Sequence, residues 1–133
     1  MRVFLLLLPA TVQAQLTFIT NNGALTITGY TGPSGPVIIP STTNGLPVTS
    51  IGDSAFYYKL TVTSVTISDS ITNVGSSAFY RCGSMINLAI GSNVATIGSS
   101  AFDTCTRLTS VTIPDSVTYI GGSAFYSCPG LTT

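Results

Sequence analysis

Cysteine and aspartate are the residue types of this chain that could take part in chemistry, and several of them are regularly spaced. Cys82, Cys105 and Cys128 follow one another at intervals of 23 residues. Two thiols at a suitable distance can form a disulfide. Asp69 and Asp115 lie two such intervals apart. Most glycosidases use a pair of carboxylates as their catalytic residues. The spacing therefore raises two hypotheses, a thiol site and a carboxylate site.

The other residues that such chemistry needs are missing. The chain contains no histidine and no glutamate, which removes the usual general base, most zinc sites and the Ser-His-Asp triad. If the repeats stack about 4.8 Å apart, Asp69 and Asp115 are about 10 Å from each other. This distance is too long for a retaining glycosidase and marginal for an inverting one. We therefore expect these aspartates to be turn residues, and we expect neither enzymatic activity nor a bound cofactor or metal.

The three cysteines are expected to form a ladder of free thiols. They occupy one position of successive repeats, so their side chains should stack in the interior beside one another rather than point toward each other. Lys59 takes the place of cysteine in the first repeat. A Cα separation of about 4.8 Å lies within the range that a disulfide tolerates, so oxidation of one pair remains an alternative.

These residues are positioned by a repeat that organises most of the chain. The dipeptide Ala-Phe recurs four times, and an aliphatic-Gly pair precedes each copy, at the same interval of 23 residues. The aromatic positions are Phe56, Phe79, Phe102 and Phe125. A period of about 20–29 residues is typical of a leucine-rich-repeat solenoid.

The repeat at 108–130 indicates how each copy should fold. Val111 and Ile113 alternate with polar residues, which is the pattern of a half-buried strand, and Pro114 ends that strand. A second short extended piece, a Gly-Gly turn and one helical turn follow. We therefore predict a right-handed, β-rich leucine-rich-repeat solenoid with one short helical turn per repeat. Its parallel sheet should contain strands at 64–67, 87–90 and 110–113, and pieces at 49–51, 73–74, 96–97 and 119–120 can form a second ladder.

The repeats resemble those of the BspA-like leucine-rich-repeat family. The shared motifs are an aliphatic-Pro pair, Ser-Val, Ile-Gly, Ala-Phe and Cys at the offsets found in this chain, and the resemblance covers residues 37–131. It implies a secreted or cell-surface protein, because members of the family occur on bacterial surfaces and in secreted proteins. Similar proteins act as adhesins that bind host or matrix proteins, so the resemblance implies protein binding without identifying the ligand.

The sequence divides into three parts. Residues 1–14 combine one positive charge, a short apolar run and small residues before Gln15, which is typical of a secretory signal peptide, with a buried strand as the alternative. The apolar run is too short to span a membrane. Residues 15–36 are predicted to form a capping β-hairpin around Asn22-Gly23 and a connector. Residues 37–133 are predicted to form about four repeats, incomplete at the C-terminal end, and this uncapped repeat could mediate edge-to-edge self-association.

The composition leaves a polar but weakly charged surface for binding. Charged residues make up 6% of the chain, far below the usual share of about 25%, and there is no basic patch for nucleic acid. Two candidate surfaces remain. The candidate binding face consists of the outward strand positions Ser64, Thr66, Asn87, Ala89, Ser110 and Thr112. The candidate aromatic stripe consists of Tyr57, Tyr80 and Tyr126, with Asp103 interrupting it.

Taken together, these features predict an extracellular protein-protein interaction or adhesion module without catalysis. Its partner is an unidentified protein, such as a host or matrix protein. The alternative is a structural spacer or envelope repeat array without a specific ligand. A third hypothesis, a threonine ladder that binds ice or glycan, is disfavoured because Ala89 separates Thr66 from Thr112.

Overall fold

The computed structural model of the chain describes residues 15–132, and the predicted signal peptide over 1–14 lies outside these described residues. The described chain forms β-strands and no α-helix, so it offers no helix long and apolar enough to cross a membrane. In chain order the strands are β1 (Leu16–Asn21), β2 (Ala24–Tyr30), β3 (Gly35–Ile38), β4 (Thr42–Thr43), β5 (Leu46–Ile51), β6 (Val62–Thr66), β7 (Asn73–Val74), β8 (Asn87–Ala89), β9 (Thr96–Ile97) and β10 (Tyr119–Ile120).

The strands form two ladders that run along a stack of coils. We call residues 34–61, 62–84, 85–107 and 108–130 the first to fourth coil. One sheet has the order β1-β2-β5-β7-β9-β10, with β4 paired to β5, and the other has the order β3-β6-β8. Equivalent residues of successive coils pair in parallel, as Val74 does with Ile97 and Val65 with Leu88. The structure confirms the stacked solenoid and the predicted second ladder.

The amino-terminal hairpin covers the first coil. β1 and β2 pair antiparallel across Asn22-Gly23, where both residues have positive φ angles, of 51° and 80°. Such angles suit the tight turns that connect hairpin strands. β2 then pairs in parallel with β5 and buries Leu25 and Ile27. The predicted hairpin is therefore present, and it covers the apolar end of the stack.

A second hairpin, which the sequence analysis did not predict, lies within the first coil. β4 and β5 pair antiparallel around Asn44-Gly45, whose φ angles are 52° and 79°. This Asn-Gly pair is the same turn signal as Asn22-Gly23. The hairpin accommodates the extra length of the first coil without disturbing the stacking of β5 on β7.

Columns of equivalent side chains form the core. Phe56 and Phe79 stack with their ring centroids 4.8 Å apart, and Phe79 and Phe102 stack at 5.2 Å. All three rings are 0% exposed. Tyr30 of β2 stacks on Phe56 at 5.4 Å, so the amino-terminal hairpin also closes the phenylalanine column. Stacking thus buries in each coil a face that one coil could not bury alone.

The predicted helical turn in each repeat is wrong. In the second coil the segment is 77–82. The N–H groups of Ala78, Tyr80 and Cys82 each donate to the carbonyl three residues earlier. The N–H groups of the residues between them donate to the next coil, as that of Phe79 does to the Ala101 carbonyl at 2.7 Å. Ser77 and Arg81 have positive φ angles, of 54° and 60°, which a right-handed helix excludes. Because every second N–H group donates to the neighbouring coil, the segment forms a series of tight turns and not a helical turn.

The strand predicted at 110–113 is also absent. The fourth coil pairs with the third through β10, but residues 110–113 form no ladder with β8. Val111 and Ile113 are only half-buried, whereas Val65 and Ile67 in the second coil are buried. A segment that has a neighbouring coil on one side only gains less from pairing. The sheet of β3, β6 and β8 therefore ends at the third coil within the described residues.

Candidate binding surface

The sheet of β3, β6 and β8 carries four of the six residues of the candidate binding face. Ser64 lies beside Asn87, and Thr66 lies beside Ala89. Ser64 is half-buried and the other three are exposed. The structure therefore brings these four side chains together as a small polar face on the second and third coils.

The other two residues of that face lie apart from it. Ser110 and Thr112 are exposed, but a hollow of about 300 Å³ separates their segment from β8. Its lining residues are Leu88, Ala89, Ile90, Ser110, Val111, Thr112 and Pro114. The candidate binding face is therefore continuous over two coils and interrupted before the fourth.

The aromatic stripe is present only in its first half. Tyr57 and Tyr80 are stacked, with ring centroids 5.1 Å apart. Asp103, at the next position, is 9% exposed, and its carboxylate accepts a hydrogen bond from the Thr104 hydroxyl at 2.8 Å. Tyr126 is 67% exposed and makes no aromatic contact with any residue in 15–132. The structure brings together Tyr57 and Tyr80 but not Tyr126.

Tyr58 and Arg81 extend this tyrosine pair into a cluster that the sequence analysis missed. The Arg81 guanidinium lies 5.5 Å from the ring centroid of Tyr58 and 5.9 Å from that of Tyr80. Its Nη1 donates a hydrogen bond to the Tyr58 hydroxyl at 3.1 Å, and this bond raises the pKa of Arg81. The 23-residue interval between Tyr58 and Arg81 was the signal that could have revealed the contact. We call Tyr57, Tyr58, Tyr80 and Arg81 the aromatic-basic cluster.

The backbone of the turns sets the direction of these side chains. Tyr58 and Arg81 have φ angles of 61° and 60°, a left-handed conformation that costs a residue with a side chain about 1–2 kcal/mol. Hydrogen bonds between coils offset this cost, since the Tyr58 N–H donates to the Tyr80 carbonyl at 2.8 Å. Because both residues adopt one conformation in successive coils, their side chains leave the stack side by side. This arrangement places the guanidinium against the rings.

A hollow of about 190 Å³ adjoins the cluster. Its lining residues are Tyr58, Leu60, Arg81, Gly83, Thr104 and Thr106. Leu60 is 51% exposed and gives the hollow an apolar wall. Lys59 and Arg107 directly adjoin lining residues in the chain. Arg81 is therefore the basic residue that lines this corner of the solenoid.

The cysteines form the predicted ladder of free thiols. None of the three is bridged; Cys82 and Cys105 are buried and Cys128 is half-buried. Burial raises the pKa of Cys82 to about 12 and raises the pKa of Cys105 and Cys128 above the ordinary value. A thiol that stays protonated is a poor nucleophile and a poor metal ligand. The ladder therefore contributes to the core.

Two of the aspartates bind backbone groups of the next coil. The Asp53 carboxylate accepts a hydrogen bond from the Ser76 N–H at 2.8 Å, and the Asp69 carboxylate accepts one from the Ser92 N–H at 2.8 Å. The latter bond holds the pKa of Asp69 below its ordinary value. Across residues 15–132, no group of three or more potential metal-binding side chains is gathered in one place. These carboxylates connect the coils of the stack.

Comparison with solved structures identifies the same architecture in other proteins. A leucine-rich repeat protein from Bacteroides capillosus ATCC 29799 is 32% identical with a TM-score of 0.79, and the match covers 90% of this chain and 91% of that one. The leucine-rich repeat protein TpLRR from T. pallidum matches with a TM-score of 0.79 at 24% identity, over 89% of this chain and 67% of that one. A leucine rich cell surface protein from Faecalibacterium prausnitzii A2-165 has a TM-score of 0.59 at 27% identity, over 90% and 52% of the two chains. No protein of curated function matches this chain significantly.

The repeat itself matches a described family. The pattern of the BspA type leucine rich repeat region fits residues 37–133 in six copies. This range contains all four Ala-Phe pairs and the three cysteines. Because the match covers well over half of the sequence, the chain belongs to the BspA-type leucine-rich-repeat family.

Proposed function

We propose that this protein is an extracellular protein-binding module on a leucine-rich-repeat scaffold, without catalysis. The observation that carries the proposal is the aromatic-basic cluster. Tyr57 and Tyr58 are 46% and 47% exposed, and Arg81 is exposed on the next coil. Tyrosine and arginine are enriched among the residues that contribute most to binding energy at protein interfaces. Two exposed tyrosines, the half-buried Tyr80 and an exposed arginine therefore form a suitable anchor for a protein partner.

The scaffold supports this role because it holds the cluster in place before a partner arrives. The stacking of Tyr57 on Tyr80 follows from the coil spacing, and the Tyr58–Arg81 hydrogen bond adds a second restraint. Side chains that are already ordered lose less entropy when they bind, which improves affinity.

Measurement of binding with matched variants tests the proposal. The immobilised full chain is exposed to a panel of purified extracellular matrix proteins in surface plasmon resonance. We expect saturable binding of at least one panel member, and we expect the double variant Tyr57→Ser/Tyr80→Ser to weaken it about tenfold or more. Tyr119→Ser is the control, because Tyr119 is an exposed tyrosine of β10 in the fourth coil, outside the cluster.

Two outcomes would contradict the assignment. Binding that survives in the double variant would exclude the cluster as the anchor. Failure of every panel member to bind would favour the alternative, a structural spacer or envelope array without a specific ligand.

We also propose that the protein is secreted or held at the cell surface. The support is the signal-peptide pattern of residues 1–14 and the family match, together with the cell-surface description of the Faecalibacterium relative. Mass spectrometry of protein exported by a bacterial host should show a mature chain beginning at Gln15. Retention of the intact leader inside the cell would contradict this proposal.

A further inference from the structure

We infer that the aromatic-basic cluster recognises an acidic segment of the partner protein, with Arg81 binding a carboxylate and the adjoining hollow receiving an apolar side chain. This inference rests on the proposed protein-binding function and adds the chemistry of the partner. It follows from three features of the corner: the distribution of charge, the free donors of Arg81 and the shape of the hollow.

Arg81 places a positive charge at this corner of a weakly charged protein. Of the basic residues in the described chain it is the one that lines the hollow, whereas Lys59 and Arg107 adjoin lining residues only in sequence. The acidic residue of the same corner, Asp103, is 9% exposed and accepts the Thr104 hydroxyl. The exposed charge is therefore positive, and complementary charge is what an interface uses to select and orient its partner.

Arg81 retains donors for a partner. Its hydrogen-bond partner in the described chain is a neutral hydroxyl, that of Tyr58, at 3.1 Å through Nη1. A guanidinium has five N–H donors. The remaining donors can form the two parallel hydrogen bonds that arginine makes with a carboxylate. The rings of Tyr58 and Tyr80 both lie beside the guanidinium and restrict its motion, so a carboxylate meets an oriented donor group.

The hollow favours a partner segment that has an apolar side chain next to its carboxylate. Its volume of about 190 Å³ is bounded on the apolar side by Leu60 and Tyr58 and on the polar side by Thr104 and Thr106. An aliphatic or aromatic side chain next to the bound carboxylate would cover Leu60, which is half exposed. Tyrosines can also stack on sugars, but a neutral glycan would leave the positive charge of the corner unused. The acidic peptide segment is therefore the occupant that uses all the features present.

Peptide selection tests this inference. A phage library of random dodecapeptides is selected on the immobilised full chain, with the Arg81→Gln variant in parallel. We expect clones selected on the unaltered chain to be enriched about twofold or more in aspartate and glutamate, with an apolar residue beside them. We expect this enrichment to be lost on Arg81→Gln.

Synthetic peptides from the selected clones then separate charge from geometry. We expect them to bind Arg81→Gln about tenfold or more weakly than the unaltered chain, with Arg81→Lys in between, because lysine keeps the charge but not the forked donor geometry. Tyr119→Ser should bind like the unaltered chain. Slow reaction of Cys82 and Cys105 with a thiol reagent shows that each variant keeps its folded stack, since both thiols are buried.

The remaining outcomes overturn the inference in distinguishable ways. Neutral clones that need Tyr57 and Tyr80 but not Arg81 would refute the acidic partner and leave the proposed protein-binding function standing. Acidic clones that bind Arg81→Gln equally well would refute the role of Arg81. Failure to enrich any clone would count against both proposals, and binding of a neutral oligosaccharide such as cellohexaose at the cluster would replace the peptide with a glycan.

Discussion

The thiol of Cys105 donates a hydrogen bond to the backbone carbonyl of Phe79, 3.4 Å away in the preceding coil. The same relationship joins Cys82 to Phe56 at 3.2 Å and Cys128 to Phe102 at 3.1 Å. The Phe79 carbonyl also accepts the N–H of Cys82, so one oxygen closes a turn and links it to the next coil. Cysteine therefore recurs at this position because a small, weakly polar donor reaches a backbone carbonyl of the preceding coil.

The buried thiols make stability depend on pH in the alkaline range. In the unfolded chain a thiol deprotonates near its ordinary pKa of 9.0, whereas in the folded chain burial raises the pKa of Cys82 to about 12. The folded state therefore binds more protons between these values, and its stability is complete below pH 9.0 and lost as the pH rises toward 12. Each such thiol contributes a slope of about 1.4 kcal/mol per pH unit.

Urea denaturation at several alkaline pH values measures this slope. Cys82→Ala should flatten it by the contribution of one thiol. An identical slope in the variant would contradict the assignment.

Phe79→Ala should lower the free energy of unfolding by about 3–5 kcal/mol, because it empties the middle of a fully buried column. The ring is 0% exposed and has stacked neighbours on both sides. Phe125→Ala is the comparison, since Phe125 is only half-buried and has a stacked ring on one side. Urea denaturation should show the smaller loss for Phe125→Ala; equal losses would mean that the column does not stabilise cooperatively.

Gly98→Ala should destabilise the stack because the glycine touches the preceding coil. An added Cβ would lie 2.5 Å from the Ser76 backbone nitrogen, which forces the coils apart and costs about 1–3 kcal/mol or more. Gly122→Ala is the matched control, because a Cβ there meets no heavy atom within 4 Å. Thermal unfolding of both variants measures the difference. A harmless Gly98→Ala would show that the coil spacing can relax.

Thr43→Val should raise the free energy of unfolding by about 1 kcal/mol, because it removes a buried hydroxyl that lacks a partner. Thr43 is 7% exposed, and its Oγ1 finds no hydrogen-bond partner within the described chain. Thr42→Val is the control at the exposed neighbouring position, where we expect a change of no more than about 0.5 kcal/mol. Lower stability of Thr43→Val in urea denaturation would indicate a hydrogen bond to water.

The chain expressed by itself should self-associate through its fourth coil. Ile120 is 45% exposed, whereas the equivalent Ile97 is 0% exposed, and the N–H groups of Phe125 and Ser127 have no partner within 15–132. Open strand edges and apolar faces attract other chains. Sedimentation velocity at increasing concentration should show association that Ile120→Lys suppresses. Ile19→Lys, at an exposed position of β1, is the control, and a monomer at every concentration would contradict this prediction.

The sequence predicted the architecture well because every coil repeats the same inward pattern. The period placed Phe79 and Phe102 in the core, and it placed β7 beside β9. The helical turn could not be rejected from the sequence, since the pattern of one repeat does not show that the Phe79 N–H has an acceptor in the next coil. The prediction of a strand at 110–113 was wrong for a related reason. Whether this segment pairs depends on the coils packed against it and not on its own residues alone.

The candidate surface was predicted less completely. Tyr57 and Tyr80 stood out because one residue type recurs at the repeat interval. Tyr58 and Arg81 occupy another such column but differ in type, so a search for repeated residues passes over them. Their contact depends on a guanidinium lying against a ring, and only the stacked geometry reveals it.

The alternating hydrogen bonds of the turns give the solenoid a net dipole along the direction in which the coils stack. The N–H groups of Phe56, Phe79 and Phe102 each donate to an alanine carbonyl one coil later, and parallel chains of peptide groups run beside this one. In a strand, neighbouring peptide dipoles oppose each other and nearly cancel. In these turns the opposing groups close the turns instead, so the dipoles along the stack add, as they do in an α-helix. The fourth-coil end of this row of turns therefore carries a partial positive charge, and an anion that approaches the solenoid meets a field with a preferred end.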